Sequence, residues 1–146
     1  MLKIKNIFLS YVKGQDILKG IDLDLKEGEI ISILGGSGSG KTSLLRVLAG
    51  LENPYKGEIF INGSPAVSES FFVPTHKRNI GLVLQEKGLF PHLTIMQNVC
   101  FGLKGSKTEQ RKLALNLLKT FKVDRYLDSY PNNLSGGEQQ RVAIAR

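Results

Sequence analysis

The stretch Gly35 to Ser43, GGSGSGKTS, sets glycine and serine in near alternation and closes on a lysine and a threonine. An apolar run precedes it, Glu29 to Leu34 (EIISIL), and a segment with helical spacing, Lys41 to Ala49, follows it. Glycine lets a backbone wrap a bound group with no Cβ in the way. Consecutive N–H groups at a helix start then point at one place, where an anion satisfies them. Lys41 adds a mobile positive charge, and Thr42 adds a hydroxyl suited to a hydrated divalent cation. The chemistry these residue types offer is the grip of a polyphosphate.

A second glycine-bearing helix start lies near the other end. In LSGGEQQR, Leu134 to Arg141, Ser135 stands at an N-cap position and Glu138 three residues on is its reciprocal partner. Gly136 and Gly137 fill the first turn and leave its N–H groups bare, so the turn can receive a phosphate. Taken alone, a capping box also describes a helix that binds nothing.

These two starts need elements to hold them. Leu2, Ile4 and, less regularly, Ile7 to Leu9 read as a strand. Ile17 to Leu25 reads as another, with Ile21, Leu23 and Leu25 on one face and Asp22 and Asp24 on the other. Lys26-Glu27-Gly28 turns the chain, and Glu29 to Leu34 is expected to be a strand buried on both faces. Gly50 is placed to cap the helix 41–49. Gly57 to Ile61 is strand-like, Asn62-Gly63 signals a tight turn, and Asn79 to Leu84 (NIGLVL) reads as a further buried strand. After Gln85 the character turns helical, with capping boxes at Thr94/Gln97, Ser106/Glu109 and Ser135/Glu138. Leu113, Leu117 and Phe121 share one face of the second of these helices. The class expected is α/β, strand-rich over 1–85 and helical over 89–146.

Composition narrows the partners. The chain has 146 residues, enough for one core, and a formal net charge of +7. Its Lys and Arg are scattered, in nothing longer than pairs such as Lys77-Arg78 and Arg111-Lys112. Scattered charge reads as solvated surface, whereas a nucleic-acid binder gathers it into a stripe. Cys100 is the only cysteine, so no intrachain disulfide forms. No apolar run approaches a membrane span, and MLKIKNIFLSY alternates apolar and basic residues unlike a signal peptide. A cytoplasmic location is expected. His92 and His76 have no second ligand at metal-binding spacing and are read as turn or surface residues.

Gly35, Gly40, Lys41 and Thr42 fit G-x-x-x-x-G-K-[ST], the Walker A pattern of the P-loop NTPases. Together with LSGGEQQR, this pattern resembles the ABC-type ATPases, and the resemblance runs along the whole chain. It implies a nucleotide-binding core with an antiparallel β-subdomain over 1–88 and a helical subdomain over 89–146. ATP and Mg2+ are the implied cofactors, held by Gly35, Gly36, Ser37, Gly38, Ser39, Gly40, Lys41, Thr42 and Ser43. Tyr11 falls where these proteins set an aromatic ring against adenine, although a packing role at a strand end is the other reading. Gln85 matches the Q-loop glutamine, which with Thr42 would approach Mg2+ and position the attacking water. Ser135, Gly136, Gly137 and Glu138 match the signature motif, which faces the ATP held by a second subunit in a head-to-tail dimer.

LFPHLTIMQNV, Leu89 to Val99, resembles the importer-type ATPases, those serving maltose, polyamine, sulfate and ferric-iron uptake. The string VLQEKGLFPHLT, with Glu86 after Gln85, leans toward the ferric-iron branch. The resemblance implies integral-membrane permease subunits docked on residues 85–99, no nucleic acid, and a peripheral place on the inner face of the cell membrane. The alternative is a soluble ABC ATPase acting on DNA or ribosomes. Its DNA-repair members carry a long coiled coil between the two motifs, and no sustained heptads lie there.

Family members continue beyond the signature helix into the Walker B strand, with its Asp and catalytic Glu, and then the D-loop and switch His. None of these motifs falls within residues 1–146. The fold is accordingly expected to be incomplete at its C-terminal side, and the polypeptide not to hydrolyse ATP at a useful rate. Open strand edges are expected to favour swapping or oligomerisation.

Overall fold

Apolar alternation in Leu2–Val12 (β1) and Gln15–Leu25 (β2) pairs them as an antiparallel hairpin, with Leu2 opposite Leu25 and Ile4 opposite Leu23. A computed structural model describes residues 1–85 and 88–146. Glu86, which the ferric-iron reading draws on, lies outside the described residues. The chain divides into two compact units, 1–82 and 83–146.

In the first unit a five-stranded sheet runs β2-β1-β3-β4-β5, antiparallel throughout, with β3 over Lys56–Ile61, β4 over Ser64–Ser68 and β5 over Phe71–Phe72. Asn62 and Gly63 join β3 to β4 with φ of 50° and 79°, as a tight hairpin turn requires. The irregularity of β1 has a local cause. The ladder shifts between Ile4 and Ile7, and Asn6 between them takes φ 51°, its N–H donating to Asp22 Oδ1 at 2.9 Å. That bulge returns Ile7 and Leu9 to the buried face already used by Ile4. Gly57 lies against it at φ 109°, where a Cβ would meet Asn6 O at 2.5 Å. Helix α1, Lys41–Ala49, packs Leu44, Val47 and Leu48 into the same core as Ile4, Ile7, Leu18, Ile59 and Val67.

The two apolar runs expected to be strands are not strands. Residues 29–34 and 79–84 make no ladder with any described residue, and Ile30 is 96% and Leu34 91% exposed. Their composition suits burial on both faces, but a strand also needs neighbours to take its N–H and C=O groups. The observed sheet draws on other segments.

The basic pair Lys77-Arg78, read as solvated, also divides. Lys77 is exposed, whereas Arg78 is 3% exposed. Its Nη1 donates to Val47 O at 2.7 Å and Leu48 O at 3.0 Å, and its Nε to Val73 O at 2.7 Å. The guanidinium also stacks on Phe72. A cation thus answers the last carbonyls of α1, where the helix dipole is negative. Gly50, the C-cap at φ 77°, leaves it room, since a Cβ there would lie 2.6 Å from Arg78 Nε. Burial pushes the Arg78 pKa down.

The second unit packs α2 (Ile95–Cys100), α3 (Lys107–Thr120) and α4 (Gly136–Ala145) around Ile95, Val99, Ala114, Leu118, Val123 and Val142. All three expected capping boxes are present. No helix among the described residues is long and apolar enough to cross a membrane.

The closeness of Gly57 to the Asn6 bulge makes a prediction. Gly57→Ala forces a left-handed alanine against two backbone carbonyls, and should destabilise the first unit by at least about 2 kcal/mol in chemical denaturation. An unchanged midpoint would contradict the bulge account.

Candidate functional site

Helix α1 begins without a side-chain cap. Its N-cap is Gly40, at φ 92°, and its first turn holds no acid. The other three α-helices of the described residues begin on Thr94, Ser106 and Ser135, each answered by a Gln or Glu. The first N–H groups of α1 are therefore left for something other than this chain's side chains. Gly40 is required where it stands, because a Cβ would lie 3.0 Å from Ile17 O and from Leu18 Cδ2.

The loop ahead of the helix closes on itself. Ser39 N–H donates to Gly36 O at 3.4 Å, and Gly38 takes φ 78°. Lys41 Nζ donates to Gly35 O at 2.8 Å, Gly36 O at 2.6 Å and Ser39 Oγ at 3.3 Å. The ammonium thus rests on carbonyls that a stronger anion can replace. A cavity of about 200 Å³ opens here, lined by Ile17 and by Gly38 through Ser43. Thr42 is exposed, and its hydroxyl has no hydrogen-bond partner among the described residues. It can serve a cation, although no cluster of three or more His, Cys, Asp or Glu suited to a metal is found among the described residues. Tyr11 is half exposed, and its hydroxyl donates to Ser43 Oγ at 3.4 Å, which sets its ring beside α1. The first unit so brings together Tyr11 and Gly35 to Ser43. Ser37 lies in the exposed turn of the loop.

The remaining candidates sit in the second unit. Gln85 is exposed in a turn. Ser135, Gly136, Gly137 and Glu138 open α4, with Ser135 at the N-cap. The Glu138 carboxylate accepts from Ser135 N at 2.9 Å and Ser135 Oγ at 2.6 Å, and from Tyr126 Oη at 2.6 Å and Arg125 Nη2 at 3.0 Å. The Ser135 hydroxyl, the Tyr126 hydroxyl and the Ser135 amide, with Arg125 adding a smaller share, hold its pKa at about 2, below the ordinary 4.5.

Asn98 was not visible as a site residue in the sequence. It is fully buried on α2, accepts from Phe90 N at 2.8 Å, and donates to Phe90 O, Leu93 O and Thr94 O, each at 3.0 Å. One side chain shapes the whole turn 90–94. A polar residue in the apolar series Ile95, Met96, Val99 was the available signal. His92, on that turn, and His76 are both exposed.

A sequence profile of the ABC transporter family matches residues 18–146. The chain is 47% identical over 131 residues to the Fe(3+) ions import ATP-binding protein FbpC of Yersinia enterocolitica, covering 89% of this chain and 38% of that protein. It is 46% identical over 132 residues to the probable sulfate/thiosulfate import ATP-binding protein CysA of Chlorella vulgaris, covering 88% of this chain and 54% of that one. It thus spans about half or less of the length of these relatives. Among solved structures, the dimeric post-hydrolysis state of the ATP-binding cassette MJ0796 bound to ADP and Pi superposes with a TM-score of 0.85 at 38% identity, covering 99% of this chain and 68% of that one.

The Glu138 cluster carries a pH dependence. A carboxylate whose pKa falls on folding stabilises the fold above its unfolded value and loses that contribution as pH drops to the folded one. The stability gap between wild type and Glu138→Gln should be full above about pH 4.5 and should close between there and about pH 2. A gap that is constant across that window in denaturation curves would contradict the four-donor geometry.

Proposed function

Given that the chain belongs to the ABC transporter family, we propose that it is the ATP-binding part of an importer, coupling ATP binding and hydrolysis to solute uptake across a membrane. The observation that carries the proposal is the uncapped start of α1 with Lys41 folded over its loop. The amides of Gly36 through Thr42 take the phosphates, and Lys41 leaves the Gly35 and Gly36 carbonyls to join them. Thr42 would offer oxygen to Mg2+, which when bound would draw charge from the phosphate oxygens, and Gln85 is assigned the role of the Q-loop glutamine. Tyr11 stacks on the adenine. We assign residues 1–88 to the nucleotide-binding core and 89–146 to the helical subdomain.

A second subunit, arranged head to tail, would present its ATP to Ser135, Gly136 and Gly137; the dimeric state of the similar MJ0796 structure supports this. Residues 85–99 would receive the permease subunits, on the inner face of the membrane, with Asn98 shaping the turn they meet. Ferric iron is the favoured solute, supported by the likeness to FbpC.

No acid lines the cavity at the Lys41 turn among the described residues. The 146-residue polypeptide is therefore expected to bind Mg-ATP without turning it over. Calorimetry should show binding that Lys41→Ala weakens by at least about tenfold, the loss of one charge-assisted contact. Steady-state phosphate release should match the Lys41→Ala control. Turnover abolished by that substitution would refute the inactivity, and binding indifferent to it would refute the site.

The exposed Ile30 and Leu34 support self-association of the same polypeptide. Light scattering is expected to show species larger than a monomer, reduced by Ile30→Lys with Leu34→Lys. A monodisperse wild-type monomer would contradict this.

A further inference from the structure

Glu138 is held more firmly than a helix cap requires. The same serine-to-glutamate box opens α3. There Glu109 Oε2 accepts from Ser106 N at 2.9 Å and from its hydroxyl at 2.7 Å, and nothing among the described residues engages the other oxygen. At α4 the Oε2 contacts are alike, but Oε1 takes two further donors, the Tyr126 hydroxyl and Arg125 Nη2. Both come from the single turn Asp124–Tyr126, and the Arg125 guanidinium lies 4.7 Å above the Tyr126 ring. Tyr126 is half-buried against the core of the second unit, so this turn is a fixed support. The added pair needs a reason beyond capping.

The proton inventory supplies one. The only O–H of Ser135 is donated to Glu138. A triphosphate offers acceptors, so Ser135 can donate to it only by releasing the carboxylate. The released carboxylate would lose a short charge-assisted bond and stand as an anion beside an incoming anion. A tyrosine hydroxyl and a guanidinium on the far oxygen meet both difficulties: they keep the carboxylate hydrogen-bonded and offset its charge.

We propose that Tyr126 and Arg125 are positioning residues for Ser135, holding Glu138 so that the serine hydroxyl can turn to a triphosphate presented by a second copy of the protein. The inference rests on the reading above that Ser135 meets that triphosphate. Tyr126 and Arg125 touch no nucleotide themselves; they act through Glu138 on Ser135.

The test uses the full-length protein carrying this sequence, with ATPase kinetics and ATP-dependent dimerisation as readouts. Tyr126→Phe removes one hydroxyl and should lower kcat about three- to tenfold, the scale of one ordinary hydrogen bond because the contact acts only through Glu138, with the KM for ATP within about twofold. Arg125→Gln should act in the same direction by a smaller factor, since that side chain is 70% exposed. The double variant Tyr126→Phe with Ser135→Ala should be no slower than Ser135→Ala alone, because no hydroxyl remains to release. A merely structural tyrosine would instead give independent, multiplying losses, which would overturn the proposal. Tyr126→Phe at the wild-type rate beside a slow Ser135→Ala would also overturn it while leaving the parent reading intact. Ser135→Ala at the wild-type rate would overturn the parent reading itself. Should Tyr126→Phe fail to fold, Arg125→Gln with and without Ser135→Ala carries the same comparison.

Discussion

The first amides of α1 have no side-chain acceptor among the described residues, and the first unit fixes the helix that carries them. A helix start carries partial positive charge, and most proteins answer it with a hydroxyl or carboxylate. Here Gly40 offers neither, and Lys41 adds a full charge to the same spot. The ammonium is parked on two loop carbonyls, neutral acceptors that an anion would outcompete. The opposite end of the helix is tied down. Arg78 takes the Val47 and Leu48 carbonyls, and Thr75 Oγ1 donates to Gly50 O at 2.7 Å. A rod fixed at its tail and open at its head keeps its amides aimed at one place.

The two glycine-bearing helix starts solve the same electrostatic problem in opposite ways. At α1 the amides stay open and the cation is mobile. At α4 a carboxylate already occupies the serine, and Arg125 and Tyr126 hold that carboxylate from behind. An anion reaching α1 displaces backbone oxygens, whereas one reaching α4 competes with an ionised side chain. On the proposed reading, Gly136 and Gly137 would let a phosphate approach the α4 amides with no side chain in its path.

What could be read from the sequence was what is decided locally. The span 41–49, the Asn62-Gly63 turn and the three capping boxes depend on residues within one turn of each other, and each stands where its pattern places it. Arg78 and Asn98 were not legible as structural centres, because their partners are backbone carbonyls and amides contributed by segments whose path only the fold supplies. The runs 29–34 and 79–84 show the converse error. Their apolar composition reports a tendency to be covered, not the identity of the cover, and neither joins the observed sheet. The Asn6 bulge lies between these cases: the broken alternation was visible, but its cause needed Gly57 across the ladder.

The most direct measurement is amide NMR of the protein titrated with Mg-ATP and, separately, with adenosine. The account predicts that ATP shifts the N–H resonances of Gly36 through Ser43 most strongly of all, and that adenosine leaves them in place. Amides in that turn that do not respond to ATP, while others elsewhere do, would contradict it.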